Sequence, residues 1–165
     1  MRWRPDGGSI WRRIPTDQVR RHSALAVVVL VGLVLGGYLL ADAPAARAQS
    51  ALQAEFELLN APSGAQVLTR EAGHKPGRAS VGAEYQSPLS YAELRTFYDR
   101  ELGRNGWRLS LDETLTDWGK DLDGHLACYR KADFWAGLQY AGNLARYGWD
   151  YGIDVTWGSS SCSGA

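Results

Sequence analysis

The sequence predicts an α+β fold: an antiparallel sheet of about five or six strands with one packed helix, preceded by an N-terminal transmembrane helix. The prediction rests on three observations, namely an uncharged apolar run, one capped amphipathic helix, and several segments of alternating apolar and polar residues. We divide the chain into a basic cytoplasmic tail (1–23), a transmembrane helix (24–42), a juxtamembrane helix (43–60), an extracytoplasmic α+β domain (61–158) and a flexible tail (159–165).

The apolar run ALAVVVLVGLVLGGYLLA extends from Ala24 to Ala41 without a charge. A helix of this length measures about 27 Å, close to the thickness of the bilayer core. Residues 1–23 contain six Arg against two Asp, and basic residues mark the cytoplasmic flank of a membrane helix. We therefore expect a single-pass membrane protein with its N-terminus in the cytoplasm and its C-terminal domain in the periplasm or outside the cell.

Two export alternatives remain open. Ala46-Arg47-Ala48 has the A-x-A pattern of a signal-peptide cleavage site, so a signal peptidase could cleave the chain after Ala48 and the protein would then be secreted. The apolar run is longer than a usual signal core, which favours an uncleaved anchor. Arg20-Arg21 could belong to a twin-arginine signal, although the apolar pair expected after it is missing.

A membrane partner is suggested by Gly32 and Gly36, which form a G-x-x-x-G pair within the run. Two such glycines on one helix face allow a second helix to approach closely. The pair makes the run a candidate for homodimerisation.

Charge excludes one class of partner. Lys and Arg number 18, as do Asp and Glu, but residues 42–165 hold twelve basic against sixteen acidic residues. A domain with net negative charge repels phosphates, so we expect no nucleic-acid binding.

The secondary structure follows from capping and periodicity. Ser90 and Glu93 have capping-box spacing at the start of a helix whose apolar face holds Leu94, Phe97, Tyr98 and Leu102, and Asn105-Gly106 ends it. We expect this face to pack on the sheet against some of Trp107, Leu109, Ile153 and Val155. Strands are predicted at 65–71, 80–86, 107–111, 125–131, 134–141 and 149–157, the last with nine residues in strict alternation.

The run Tyr91, Leu94, Phe97-Tyr98, Leu102 and Gly106-Trp107, preceded by Ser-Pro, resembles a pattern of small uncharacterised bacterial proteins. A membrane helix or a lipid holds those proteins outside the cytoplasm. The resemblance covers about 25 residues and implies a β-α-β-β module in the cell envelope. It implies no catalytic residue.

No catalytic constellation emerges from the sequence. The acidic stretch from Asp112 to His125 fails the calcium-loop test, because Gly119 and Arg130 would occupy positions that need carboxylates, and we interpret it as a solvated loop. The sequence contains no H-x-x-x-H pair, G-x-S-x-G elbow or phosphate-binding loop. We expect no enzyme, cofactor or metal; a hydrolase would need His125 near a carboxylate and a hydroxyl or metal.

Two cysteines and two tryptophans are the remaining candidates. Cys128 and Cys162 could form a disulfide outside the cytoplasm, or Cys128 could be a buried free thiol. Trp118 and Trp135 fall in or beside predicted turns and are candidate ligand-binding residues. We therefore expect a non-catalytic binding or interaction domain; the alternative is an envelope glycan- or peptide-binding module that uses exposed aromatic residues.

Overall fold

The computed structural model describes residues 43–117, 120–142, 148–158 and 162, and it confirms an α+β domain built on an antiparallel sheet. The predicted membrane helix at 24–42, with Gly32 and Gly36, lies outside the described residues. Within the described part of the chain, no helix has both the length and the apolar character needed to cross a bilayer.

The sheet has six strands, at the upper end of the predicted number, and two helices accompany it. Its order is β1-β2-β6-β5-β4-β3, and all neighbours are antiparallel, so β1 and β3 form the edges. The elements are α1 (43–57), β1 (Gln66–Lys75), β2 (Arg78–Gln86), α2 (Tyr91–Arg104), β3 (Arg108–Asp117), β4 (Lys120–Lys131), β5 (Phe134–Tyr140) and β6 (Tyr151–Gly158).

The start and end of α2 confirm the predicted capping. The backbone N–H and the hydroxyl of Ser90 both donate to the Glu93 carboxylate, at 2.9 and 2.7 Å, which satisfies donors that the helix itself leaves unpaired. Asn105 is the C-cap, and Gly106 follows with a φ of 83°, a backbone conformation that glycine adopts without strain.

The main core lies between the helices and one face of the sheet, which we call the covered face. Leu94, Tyr98 and Leu102 of α2 are fully buried there, and the Tyr98 hydroxyl donates to the Tyr151 hydroxyl of β6 at 3.3 Å. Phe97 is only half-buried and meets Tyr98 edge-on. The helix therefore anchors to the sheet mainly through the other three side chains.

Leu109, one of the four sheet residues named as candidates for this core, does not pack into it. Trp107 is 3% exposed and belongs to the core, but Leu109 is 47% exposed. The pairing of β3 with β4 shifts register between Leu109 and Leu111, so Leu111 lies on the opposite face of the sheet from the one that alternation predicts. Simple alternation cannot reveal such a bulge.

The expectation of a single packed helix is also wrong, because α1 belongs to the same core. Leu52 and Phe56 are buried with the residues of α2 and the sheet. Lys131 of β4 donates to both oxygens of Glu55 at 2.7 Å, which ties the helix to the sheet. A fragment that begins at residue 61 would therefore lack part of its core.

The sequence predicted a solvated loop for the acidic stretch that begins at Asp112, and this prediction is wrong. The stretch forms the paired ends of β3 and β4, with Asp112 opposite Ala127 and Thr114 opposite His125.

Candidate functional site

The second face of the sheet, which we call the open face, carries the polar residues of the central strands. Strand pairing places five residues in one row across this face: Glu71, Gly82, Asp154, Gly137 and Cys128. The neighbouring row contains Thr69, Glu84, Gly152, Gln139 and Leu126. Because side chains in one row point to the same face, these residues form one continuous surface.

Two glycines open a groove in this surface. Gly82 of β2 lies between Glu71 and Asp154, and Gly152 of β6 lies between Glu84 and Gln139. Neither glycine has a side chain, and the two are diagonal neighbours on adjacent strands, so the surface of the open face is lowest along the line that joins them. A β-carbon on Gly152 would have only the Ala83 carbonyl oxygen within 4 Å, at 3.7 Å, so the space above this glycine is open.

The resulting cavity, which we call the groove, has a volume of about 250 Å³. Besides backbone near Ala83 and Ile153, its lining consists of the two glycines and polar or aromatic side chains. The lining side chains are those of Thr69, Glu71, Ser80, Glu84, Gln139, Trp149 and Asp154.

The described lining contains three carboxyl groups and no basic side chain. Glu84 accepts a hydrogen bond from the Thr69 hydroxyl at 3.0 Å, which fixes one side of the groove. Glu71 lies across Gly82 from Asp154. The groove is therefore a concave surface of negative charge.

Asp154 is the most unusual group in the groove. A β-carbon on Gly82 would lie 3.0 Å from its Cβ, and one on Gly137 would lie 2.8 Å from its Oδ1 and 3.4 Å from the Cys162 sulfur. The side chain thus fits between two glycines on the flanking strands, and this burial raises the pKa of the Asp154 carboxyl to about 6. Among the described residues none donates a hydrogen bond to this carboxyl or forms an ion pair with it.

A second polar group on the same strand is also without a partner. Thr156 lies opposite Ser80, is only 7% exposed, and its hydroxyl makes no hydrogen bond to any residue that the structure describes. An unpaired buried polar group costs about 1 to 3 kcal/mol. The half-buried Asp154 carboxyl and the buried Thr156 hydroxyl lie two residues apart on β6, so this part of the open face is poorly optimised for stability.

Beside the groove, the open face has a small apolar cluster. Cys128 and Cys162 form a disulfide with an S–S distance of 2.08 Å, and both residues are buried with Leu126. Leu111, Leu115 and Trp135 pack against this cluster. It covers the open face over β3 and β4, beside the groove.

The structure does not bring the two candidate tryptophans into one described groove. Trp118 lies outside the described residues. Trp135 is half-buried in the apolar cluster, and the Arg130 guanidinium lies 5.2 Å from its ring centroid. Among the described residues, the tryptophan that lines the groove is Trp149, which lies two residues before β6 although the sequence predicts that the strand begins there.

On the covered face, a network of polar side chains attaches α2 to the sheet. Arg95 donates to Asp112 at 3.1 Å, and Tyr129 donates to Asp99, also at 3.1 Å. Tyr91 donates to Asp112 and stacks on His125, with ring centroids 4.0 Å apart. His125 is thus a stacking partner within this network.

Metal binding has no support in the described part of the chain. There, no three His, Cys, Asp or Glu side chains lie close enough together to hold an ion. The acids of the groove are separated by glycines instead of converging on one point.

Comparisons of the chain with protein-family models, curated proteins and solved structures found no match. The assignment of function therefore depends on the groove itself.

Sequence reasoning missed the groove, although one signal for it was present. Gly82 and Gly152 occupy the polar positions of well-patterned strands, and a glycine inside a strand often marks close backbone approach or open space for a ligand. What the sequence did not show is that β2 and β6 are neighbours, which brings the two glycines together.

Proposed function

We propose that the protein is a single-pass membrane protein whose extracytoplasmic α+β domain binds a ligand without catalysis, in the groove on the open face. The observation that carries the proposal is the Asp154 carboxyl, which lies half-buried in a cavity floored by glycines and has no hydrogen-bond donor or ion-pair partner among the described residues. A carboxyl in such a place destabilises the fold unless a ligand compensates for its lost hydration, and strained or unpaired groups cluster at functional sites.

The location of the domain is part of the proposal. The basic N-terminal segment supports a cytoplasmic N-terminus, and a disulfide between Cys128 and Cys162 suits an oxidising compartment. Ala45 and Ala48 are buried in α1, so cleavage after Ala48 would remove the first part of a helix that the core uses. This supports an uncleaved anchor over a secreted form.

Topology is tested with reporter fusions. A reporter that is active only outside the cytoplasm should be active when fused after Ala165 and inactive when fused after Ser23, ahead of the apolar run. Activity of a cytoplasm-only reporter after Ala165 would contradict the proposed orientation. If N-terminal sequencing shows that the mature chain begins at Gln49, the protein is cleaved and the secreted alternative is correct.

Ligand binding in the groove is tested on the full chain in detergent micelles, by following backbone amide shifts in NMR spectra. The probes are spermidine, N-acetylglucosamine and glutarate, which represent an organic cation, a neutral sugar and an organic anion. We expect at least one of them to shift the amides of Gly82 and Gly152.

The matched variants are Gly152→Val and Gly73→Val. Gly152→Val fills the groove, whereas Gly73 is also a strand glycine with open space above it but does not line the groove. The shifts should disappear in Gly152→Val and persist in Gly73→Val. If no probe shifts these amides, or if Gly152→Val responds like the wild type, the groove is not a binding site.

A further inference from the structure

We propose that the groove binds an organic cation, an ammonium or guanidinium group carried on a slender stem. The inference rests on the proposed function and names the ligand class of the same site. It follows from the charge, the spacing and the size of the groove.

The negative charge of the groove favours a cation as the ligand. Glu71, Glu84 and Asp154 line the groove, and the described lining includes no Lys, Arg or His to offset them. An anion would therefore meet uncompensated repulsion, whereas a cation would supply the partner that the Asp154 carboxyl lacks. Hydrogen bonds in which both groups are charged are shorter and stronger than neutral ones.

The distance between the carboxyl groups favours an organic cation over a metal ion. Glu71 and Asp154 lie two strands apart, and because neighbouring strands are about 4.8 Å apart, their backbones are separated by roughly 10 Å. A calcium ion needs several oxygens at about 2.3 to 2.6 Å, which such carboxylates do not provide together. A guanidinium or ammonium group has several donors and can bond to separate acceptors.

The volume of the groove favours a small ligand group. The groove volume of about 250 Å³ is below the roughly 300 to 1,000 Å³ of typical small-molecule pockets. It suits a single side chain or amine better than several sugar rings. Gln139 and Ser80 offer further polar contacts at the rim, and Trp149 offers an aromatic surface of the kind that cations favour.

The position of the Asp154 carboxyl provides support beyond the charge count. The side chain lies half-buried between Gly82 and Gly137 and lines the groove, and no described residue donates a hydrogen bond to it. A donor-rich cation is the ligand that satisfies such an acceptor.

Ligand binding should depend on pH. Asp154 attracts a cation only when it is ionised, and its pKa is raised to about 6, so affinity should be roughly tenfold weaker at pH 5 than at pH 7.5. The charged groups that face Asp154 are Glu71 from β1 and Glu84 from β2; Gly137 and Gln139 of β5 and Thr156 of its own strand carry no charge.

The test compares two probes of the same shape and different charge, acetyl-arginine amide and acetyl-citrulline amide, on the full chain in detergent micelles. Spermidine serves as a second cation from a different source. Amide shifts of Gly82 and Gly152 report binding at the groove, and titrations are run at pH 5 and pH 7.5.

The variants are Asp154→Asn, which keeps the shape of the side chain, and Glu113→Gln, which removes an exposed charge on the open face outside the groove. We expect acetyl-arginine amide to bind at least tenfold more tightly than the citrulline probe. Asp154→Asn should weaken its binding about ten- to a hundredfold, and Glu113→Gln should change it less than twofold.

The outcomes separate this inference from the proposed function. Binding of either cation with loss in Asp154→Asn supports the inference, and the tighter cation identifies a peptide-like or a polyamine source. If N-acetylglucosamine or glutarate binds at the groove and neither cation does, the ligand class is wrong and the binding function stands. If none of the probes binds, both proposals fail; equal binding of the arginine and citrulline probes also overturns the cation.

Discussion

Removing the disulfide with Cys128→Ala and Cys162→Ala is expected to lower the free energy of unfolding by about 3 to 4 kcal/mol. The bond joins residues 34 positions apart and so restricts a long loop of the unfolded chain. Both residues are also buried in the apolar cluster with Leu126, so the double variant loses packing as well. The loss is a large part of the 5 to 15 kcal/mol that usually stabilises a domain.

Urea titration of the full chain in detergent, followed by tryptophan fluorescence, measures this effect. The wild-type protein treated with a reductant should show most of this loss but not all of it, because it lacks the bond and keeps both buried sulfur atoms. An unchanged midpoint in the double variant would contradict a structural role for the disulfide.

The second large effect is expected at Asp154, where Asp154→Asn should make the protein more stable near neutral pH. The folded state raises the pKa of this carboxyl to about 6, above the ordinary aspartate value of about 3.9. The neutral form is therefore favoured by folding, and this stability is present below pH 4 and is lost as the pH rises through 6. The loss is on the order of 3 kcal/mol, and a buried amide returns part of it, so a net gain of about 1 to 2 kcal/mol is expected at pH 7.5.

The pH dependence of the difference is the informative quantity. Wild type and Asp154→Asn should have similar urea midpoints at pH 4 and should diverge between pH 4 and pH 7. Glu113→Gln, which removes a charge from an exposed position, should not diverge in this way. A variant that is less stable than the wild type at pH 7.5 would mean that the ionised carboxyl is stabilised by the fold.

The local features of the fold were predictable from the sequence because they depend on neighbours in the chain. The capping residues Ser90 and Glu93 define the start of α2, and strict alternation predicts β6. The buried side chains Ile153 and Val155 follow directly from that alternation. These elements need no knowledge of strand order.

The remaining features depend on contacts between distant segments. Leu109 and Leu111 lie on opposite faces because of a bulge in the pairing with β4, which periodicity does not encode. The packing of α1 on the sheet depends on where its apolar face finds a partner.

The candidate site could not be predicted for the same reason. Gly82 and Asp154 are 72 positions apart in sequence and become partners only because β6 inserts between β2 and β5. Trp135 has the composition of a binding residue but packs into the disulfide cluster. A site made from the polar faces of several strands is visible only after the strand order is known.

The most direct measurement of the central claim is the pKa of the Asp154 carboxyl in the full chain. Selective ¹³C labelling of aspartate side chains, with the Asp154 signal assigned by its loss in Asp154→Asn, allows the carboxyl to be titrated by NMR. The account predicts a midpoint near pH 6 for the free protein, moving lower when acetyl-arginine amide is present. A midpoint near 4 that the probe leaves unchanged would show a hydrated surface carboxyl and would contradict a desolvated cation-binding groove.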